Sequence, residues 1–348
     1  MQSKVLNEER TLLIHTPSDY ETSNKKYPVI YVLDGNSHFS HTINASNVLR
    51  EFERMPESII VGIPNNLGTR GRDLASQKDN FKKYIKEEVI PFVNKTYRTN
   101  KIKTLFGHSL GGVFTLNFLA TEPEVFDNYI AASPVVQIFN SELQSRFVTF
   151  FKEHPTINKS VYFTLTEATA EGSVVYNALN KFVDLFKKEA PKTLHWKYDF
   201  IENHVHMTTP YATMYNGLNR VFYDFQAPTF QSYQEYVDKG GMKGLENYFV
   251  KRAQKYDISP VITHETMRML ANVLYGEKQE KLALEILITN TKNHPNSIGA
   301  YNSLARLYRR LQQIDNAKAT YQKIIKLSEQ QKSPNTAYFK RQLAGLRK

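Results

Sequence analysis

The 348-residue chain contains no cysteine, which excludes disulfides, thiolate metal sites and a cysteine nucleophile, and leaves the redox compartment unread. Long apolar runs are missing as well. Stretches such as Tyr27 to Leu33 and Ser58 to Ile63 fall far short of the roughly 20 residues that cross a bilayer, so no membrane-spanning helix is expected. The opening MQSKVLNEER has no apolar core, and no signal peptide is expected within it. Blocks of like charge are also absent. Lys and Arg outnumber Asp and Glu by 45 to 34, a formal charge of +11, yet the lysines are scattered, which argues for a solvated surface over nucleic-acid binding. What the chain does hold is 41% hydrophobic residues, including 21 Tyr and 21 Phe. That composition supports a true core and excludes disorder and collagen-like fibres. At roughly 100 to 200 residues per domain, the length suggests two domains, or one large domain with an appendage.

From Val5 to about Phe225, short β-rich runs alternate with helical stretches. TLLIHT from Thr11, YPVIYVL from Tyr27, SIIVGI from Ser58, KTLFG from Lys103, NYIAAS from Asn128, SVYFTL from Ser160 and LHWKYDF from Leu194 read as strands. Several are apolar at consecutive positions, as strands covered on both faces of a mostly parallel sheet must be. Asp79 to Val93, Leu110 to Ala120, Ser173 to Lys188 and Thr208 to Phe225 carry apolar residues at helical spacing. The pattern predicts an α/β fold with a mostly parallel sheet flanked by helices. Beyond Phe225 no strand pattern survives, and an internal period of about 34 residues takes over. Tyr301, Leu304, Ala305, Tyr308, Ala317 and Tyr321 repeat one period earlier as Met267, Leu270, Ala271, Leu274, Ala283 and Leu287, with Pro295 in the linker. These spacings resemble the tetratricopeptide repeat. They predict an all-α domain over 226–348, with two repeats at about 264–330.

The chemistry concentrates in FGHSLGG, residues 106–112, where Ser109 stands in a GxSxG pattern between a predicted strand and a predicted helix. A turn this sharp needs Gly107 and Gly111, and it holds the Ser109 hydroxyl at the carboxyl end of the sheet. A serine is a poor nucleophile without a base and an acid to orient that base. In this kind of fold the chain order is serine, acid, histidine. The segment FIENHVHMTTP from Phe200 offers His204 and His206 as base. The loop TEATAE after Ser160 to Leu165 offers Glu167 and Glu171 as acid, with Glu171 favoured because it lies just before the next helix. His15, His38, His41, His108 and His195 are expected in structural roles. Two backbone N–H groups are expected to hold the oxyanion, those of Leu110 and of Asn36 in the loop LDGNSHF.

YPVIYVLDGN, IIVGIPNN, GRDL at Gly71, EEVIPFVNKTYRT from Glu87, FGHSLGG, YIAASP and HMTTPYATMYNGL from His206 together resemble the esterase D family of serine hydrolases over about residues 5 to 225. That family includes trilactone siderophore esterases and assorted acyl and carbohydrate esterases. The resemblance implies an α/β-hydrolase catalytic domain over 1–225 and a triad at Ser109, Glu171 and His206, with no metal and no organic cofactor. The sequence following the base favours His206, since the family pattern then falls without gaps on Thr208, Thr209, Pro210, Tyr215, Asn216, Gly217 and Leu218. His204 is the alternative, or else it lines the pocket. Arg70 and Arg72, with Asp73, resemble the family's Arg-rich motif. They serve either to hold an anionic or polyhydroxylated substrate or as an internal Arg-to-Asp brace.

The expected activity is serine carboxylester hydrolysis of a small-molecule ester. The rivals are acyl transfer or peptide cleavage on the same triad, and a repeat-based binding protein with a hydrolase scaffold. The repeats suggest a protein partner or self-association, with no nucleic acid. The export of many relatives, together with the missing cysteines, leans toward the periplasm over the cytoplasm.

Overall fold

All seven β-rich runs become strands of one sheet in the computed structural model, which describes residues 1–346. They are β1 (Leu13–His15), β2 (Tyr27–Leu33), β3 (Ile59–Ile63), β4 (Thr99–His108), β5 (Asn128–Ala132), β6 (Ser160–Leu165) and β7 (His195–Phe200). Their spatial order is β1-β3-β2-β4-β5-β6-β7. β1 runs antiparallel to β3, and the remaining neighbours pair in parallel. Every residue of β2, β3, β5 and β6 is buried, which explains their unbroken apolar runs: helices cover both faces. The edge strand β7 alternates instead between half-buried and exposed positions.

The chain starts the parallel part of the sheet at β2, adds β3 on one side and then crosses to place β4 on the other. The carboxyl ends of β2 and β4 therefore lie side by side where the winding reverses, with Val32 opposite Phe106. Open α/β sheets form their crevice at such a point. Two helices begin there, α1 (Gly35–Glu51) after β2 and α2 (Leu110–Thr121) after β4. α3 (Asn140–Glu153), α4 (Ser173–Glu189) and α5 (Thr209–Val221) follow β5, β6 and β7. α1 stands where the sequence indicates only a loop. Its buried stripe is Gly35, His38, Thr42, Ser46 and Leu49, so four of the five inward positions are small or polar and hydrophobic periodicity cannot reveal it.

The chain divides into two compact units. The first comprises Met1–Gln226 and also takes in Tyr256–Ile258. Tyr256 is 1% exposed, lies edge-on to Phe225 and donates its hydroxyl to Asp224 at 2.6 Å. The second unit is helical. Its regular part is α6 (His264–Gly276), α7 (Glu280–Asn293), α8 (Ile298–Arg310), α9 (Ile314–Gln330) and α10 (Thr336–Ala344). Ala271, Ala283, Ala305 and Ala317 are all fully buried, the small residues that let paired helices approach.

Candidate active site

The elbow is built by backbone strain. Ser109 has φ 56° and ψ −114°, a region that a side-chain-bearing residue occupies only when its surroundings hold it there. Its N–H donates to Ala132 O at 2.9 Å, and its carbonyl accepts from Val113 N–H at 3.0 Å as α2 begins. Gly107 makes the turn possible, because a Cβ there would lie 2.1 Å from Gly111 O. Leu110 is the first residue of α2, and Asn36 lies in the first turn of α1. First-turn N–H groups have no acceptor within their own helix. Two helix amino ends thus open beside Ser109, a setting that favours negative charge.

Glu171 closes the short helix Ala168–Glu171 after β6, and its side chain is fully buried. One carboxylate oxygen meets His206 Nδ1 at 2.5 Å and the other accepts from Ser133 Oγ at 2.5 Å. A carboxylate can only accept, so the His206 proton sits on Nδ1 and Nε2 presents a lone pair. Ser133 itself is buried at φ 39° and lies 2.9 Å from Thr209 Oγ1, which donates to His206 O at 3.0 Å. Ser133 therefore ties Glu171, the His206 loop and α5 together. The sequence showed it only as part of YIAASP, with no separate signal of a role.

Glu167 is engaged elsewhere. Its oxygens accept from Thr166 Oγ1 and from Asn203 N–H at 2.7 Å, and these bonds hold its carboxyl below the usual range. His204 meets Glu202 O through Nδ1 at 2.9 Å, while its own carbonyl accepts from Thr166 Oγ1. Both residues brace the loop that carries His206. Arg70 grips Asp34 with two hydrogen bonds of 2.7 and 2.9 Å and also reaches His108 O at 3.3 Å, linking the ends of β2 and β4. Arg72 pairs with Asp73 and Glu8. Both guanidiniums are thus in internal ion pairs, though Arg70 keeps 42% of its side chain exposed.

Behind His206 lies a row of imidazoles. His108 Nε2 meets His206 O at 2.9 Å with ring centroids 4.7 Å apart, and His38 lies 5.5 Å from His108 and 5.1 Å from His41. Burial, with smaller contributions from neighbouring imidazoles, pushes His108 down to about 3. Burial likewise takes His41 down to about 4 and lowers His38. These three stay neutral at ordinary pH, so they support the site without adding charge. Among the described residues no hydrogen bond joins Ser109 Oγ to His206. Such bonds are often long before substrate binds. No group of three or more His, Asp or Glu among the described residues is disposed to hold a metal ion.

Residues 3–162 match the family model described as "Putative esterase". This segment is similar to that esterase family. Residues 298–331 match a tetratricopeptide repeat model. The chain is 34% identical over 142 residues to the ferri-bacillibactin esterase BesA of Bacillus subtilis, covering 32% of this chain and 48% of that protein. It is 35% identical over 146 residues to the uncharacterized protein YjcH of the same organism, covering 38% of this chain and 59% of that one. The chain thus spans about half the length of the curated relatives it matches. In fold it is similar to the IroE-like serine hydrolase from Shewanella oneidensis, with TM-score 0.63 at 23% identity over 89% of this chain and 98% of that one. The BES protein from Bacillus cereus aligns with TM-score 0.57 at 26% identity, over 64% of this chain and 92% of that one.

Proposed function

We propose that the esterase domain is a serine carboxylester hydrolase, with Ser109 as nucleophile, His206 as general base, Glu171 as the acid behind it and a small-molecule ester as substrate. The observation that carries this reading is the buried Glu171 carboxylate 2.5 Å from His206 Nδ1, with the His206 ring against His108, the residue that precedes the strained Ser109. His206 Nε2 takes the hydroxyl proton as Ser109 Oγ attacks the ester carbonyl, and the imidazolium that forms is stabilised by Glu171. The oxyanion is received by the N–H groups of Leu110 and Asn36, which cost no reorganisation because the helix starts fix them. His206 then gives the proton to the departing alcohol. Water, activated by the same imidazole, hydrolyses the acyl-serine and returns the enzyme. Every step uses groups of this chain and water.

Relatives named as esterases of ferri-bacillibactin and, in Emericella nidulans, of the siderophore enterobactin support siderophore ester bonds as the first substrates to test. A panel running from short nitrophenyl esters through acylated sugars to trilactone siderophores reads out acyl and alcohol preference. The reading itself is tested by Ser109→Ala. Loss of a triad nucleophile costs turnover by about a millionfold, and the variant should also escape labelling by a fluorophosphonate. A folded variant that keeps more than a small fraction of wild-type hydrolysis would remove Ser109 from the role.

A further inference from the structure

Three loops meet at Asp34. It stands buried between β2 and α1 with a left-handed backbone, φ 50° and ψ 46°. Its carbonyl accepts from Ser37 N–H at 2.8 Å and from His38 N–H at 3.1 Å as α1 begins, so its position sets that of Asn36. Its side chain reaches the other two loops. Oδ1 accepts from Asn65 Nδ2 and from Arg70 Nε at 2.7 Å, and Oδ2 accepts from Arg70 Nη2 at 2.9 Å, both partners lying in the segment that follows β3. Oδ2 also faces the elbow, because a Cβ on Gly111 would lie 3.2 Å from it. Arg70 closes the ring: the same Nη2 donates to His108 O at 3.3 Å, one residue before Ser109. A buried carboxylate thus lies between the amino ends of α1 and α2, and among the described residues Arg70 is the one cation paired with it. Away from water that charge would strongly repel an oxyanion forming beside it, unless the guanidinium balances it.

We propose that Asp34 and Arg70 are positioning residues of the oxyanion site, a single clamp that sets the spacing of the Leu110 and Asn36 N–H groups and balances the carboxylate beside them. This role rests on the proposed reading of Ser109 as nucleophile and of those two N–H groups as oxyanion donors. Two parallel hydrogen bonds between a guanidinium and a carboxylate fix orientation as well as distance. A catalytic group displaced by about 1 Å can forfeit about a hundredfold in rate. Arg70 therefore acts on turnover. Its side-on edge is already taken by Asp34 and is not open to an anionic substrate.

The test is steady-state hydrolysis of neutral nitrophenyl acetate by the full chain. Arg70→Gln leaves the carboxylate unbalanced and should lower kcat about a hundredfold with KM within about twofold, the range of a lost oxyanion donor. Asp34→Asn keeps the shape and suits a left-handed backbone. It should lower kcat about tenfold, since the fork is weakened but no charge is left beside the oxyanion. The double variant should turn over about tenfold faster than Arg70→Gln alone, because the unpaired carboxylate is gone. Arg70→Lys keeps the charge without the fork and should lose about tenfold in kcat. Thermal melts by circular dichroism establish that each variant is folded at the assay temperature. If Arg70→Gln is not, Arg70→Lys decides, and a wild-type kcat there overturns the clamp. A double variant no faster than Arg70→Gln overturns it too. So does an unchanged kcat in Arg70→Gln with a raised KM for anionic nitrophenyl succinate, the mark of a substrate site. Ser109→Ala keeps the two readings apart. If that variant stays active, the nucleophile assignment fails and the clamp with it; if it is inactive while Arg70→Gln keeps wild-type kcat, the clamp alone fails.

Discussion

Glu171 has both carboxylate oxygens occupied inside the protein, one by His206 and one by Ser133. Glu171→Gln keeps the shape but can present an amide N–H to His206, which favours the wrong tautomer. Turnover should fall by about ten-thousandfold with little change in KM, because in the proposed triad the carboxylate acts on the imidazolium of the transition state. The histidines separate by the same logic. His206→Ala should fall near the level of Ser109→Ala, whereas His204→Ala should loosen the loop and act mainly on KM; steady-state kinetics finding the reverse order would move the base. His108 gives a pH test. Its folded-state value of about 3 lies below the ordinary 6.5, so between those limits the unfolded chain binds a proton that the folded chain does not. Its contribution to stability is therefore complete above the ordinary imidazole range and is lost as pH falls toward 3. From pH 6.5 to 5 the loss is about 2 kcal/mol. Urea unfolding of wild type and His108→Gln at pH 7.5 and 5.0 should show the gap between them narrowing in acid, since glutamine does not titrate.

At the scale of elements, the position of α5 sets the position of His206. Gly217 brings this helix onto the sheet: a Cβ there would lie 2.6 Å from Ile130 Cγ2 on β5 and 3.0 Å from Tyr162 Cδ1 on β6. Gly217→Ala should therefore destabilise by about 1–3 kcal/mol through overpacking, although alanine is the better helix former. Because α5 carries Thr209, which is bonded to the carbonyl of His206, turnover should drop as well. Thermal melting and kcat measured together test this, and a variant as stable and active as wild type would show that α5 can shift freely. The helices of the second unit were legible from their spacing, because small residues recur where helices must touch. α1 was not, because four of its five fully buried positions are small or polar, His38 of the histidine row among them.

For the whole molecule, the division of the chain is not a single cut. The first unit takes in Tyr256–Ile258, so a chain ending at Gln226 lacks the buried Tyr256 ring against Phe222 and Phe225. Tyr256→Ala in the full chain should cost about 3–5 kcal/mol, the usual range for emptying a large aromatic site. The shortened chain should show at least that loss in denaturant midpoint while still hydrolysing a small activated ester. A shortened chain as stable as the intact protein would mean that Tyr256 is dispensable to the sheet unit.

The sequence by itself determined the alternation of strands and helices, the repeat period and the elbow at Ser109, because each rests on local rules: periodicity, small residues at close approach, and glycines where a turn admits no side chain. It narrowed the rest of the site to two glutamates and two histidines. Which of them meet was decided only by the tertiary structure. Glu171 and His206 are far apart in the chain and come together because β6 and β7 are neighbours in the sheet, while Ser133 reaches them from the end of β5. Loop side chains follow no periodicity, so their directions depend on what packs against them. Arg70 makes the same point. Its spacing left substrate and brace equally open, and the fold placed Asp34 within reach of its guanidinium.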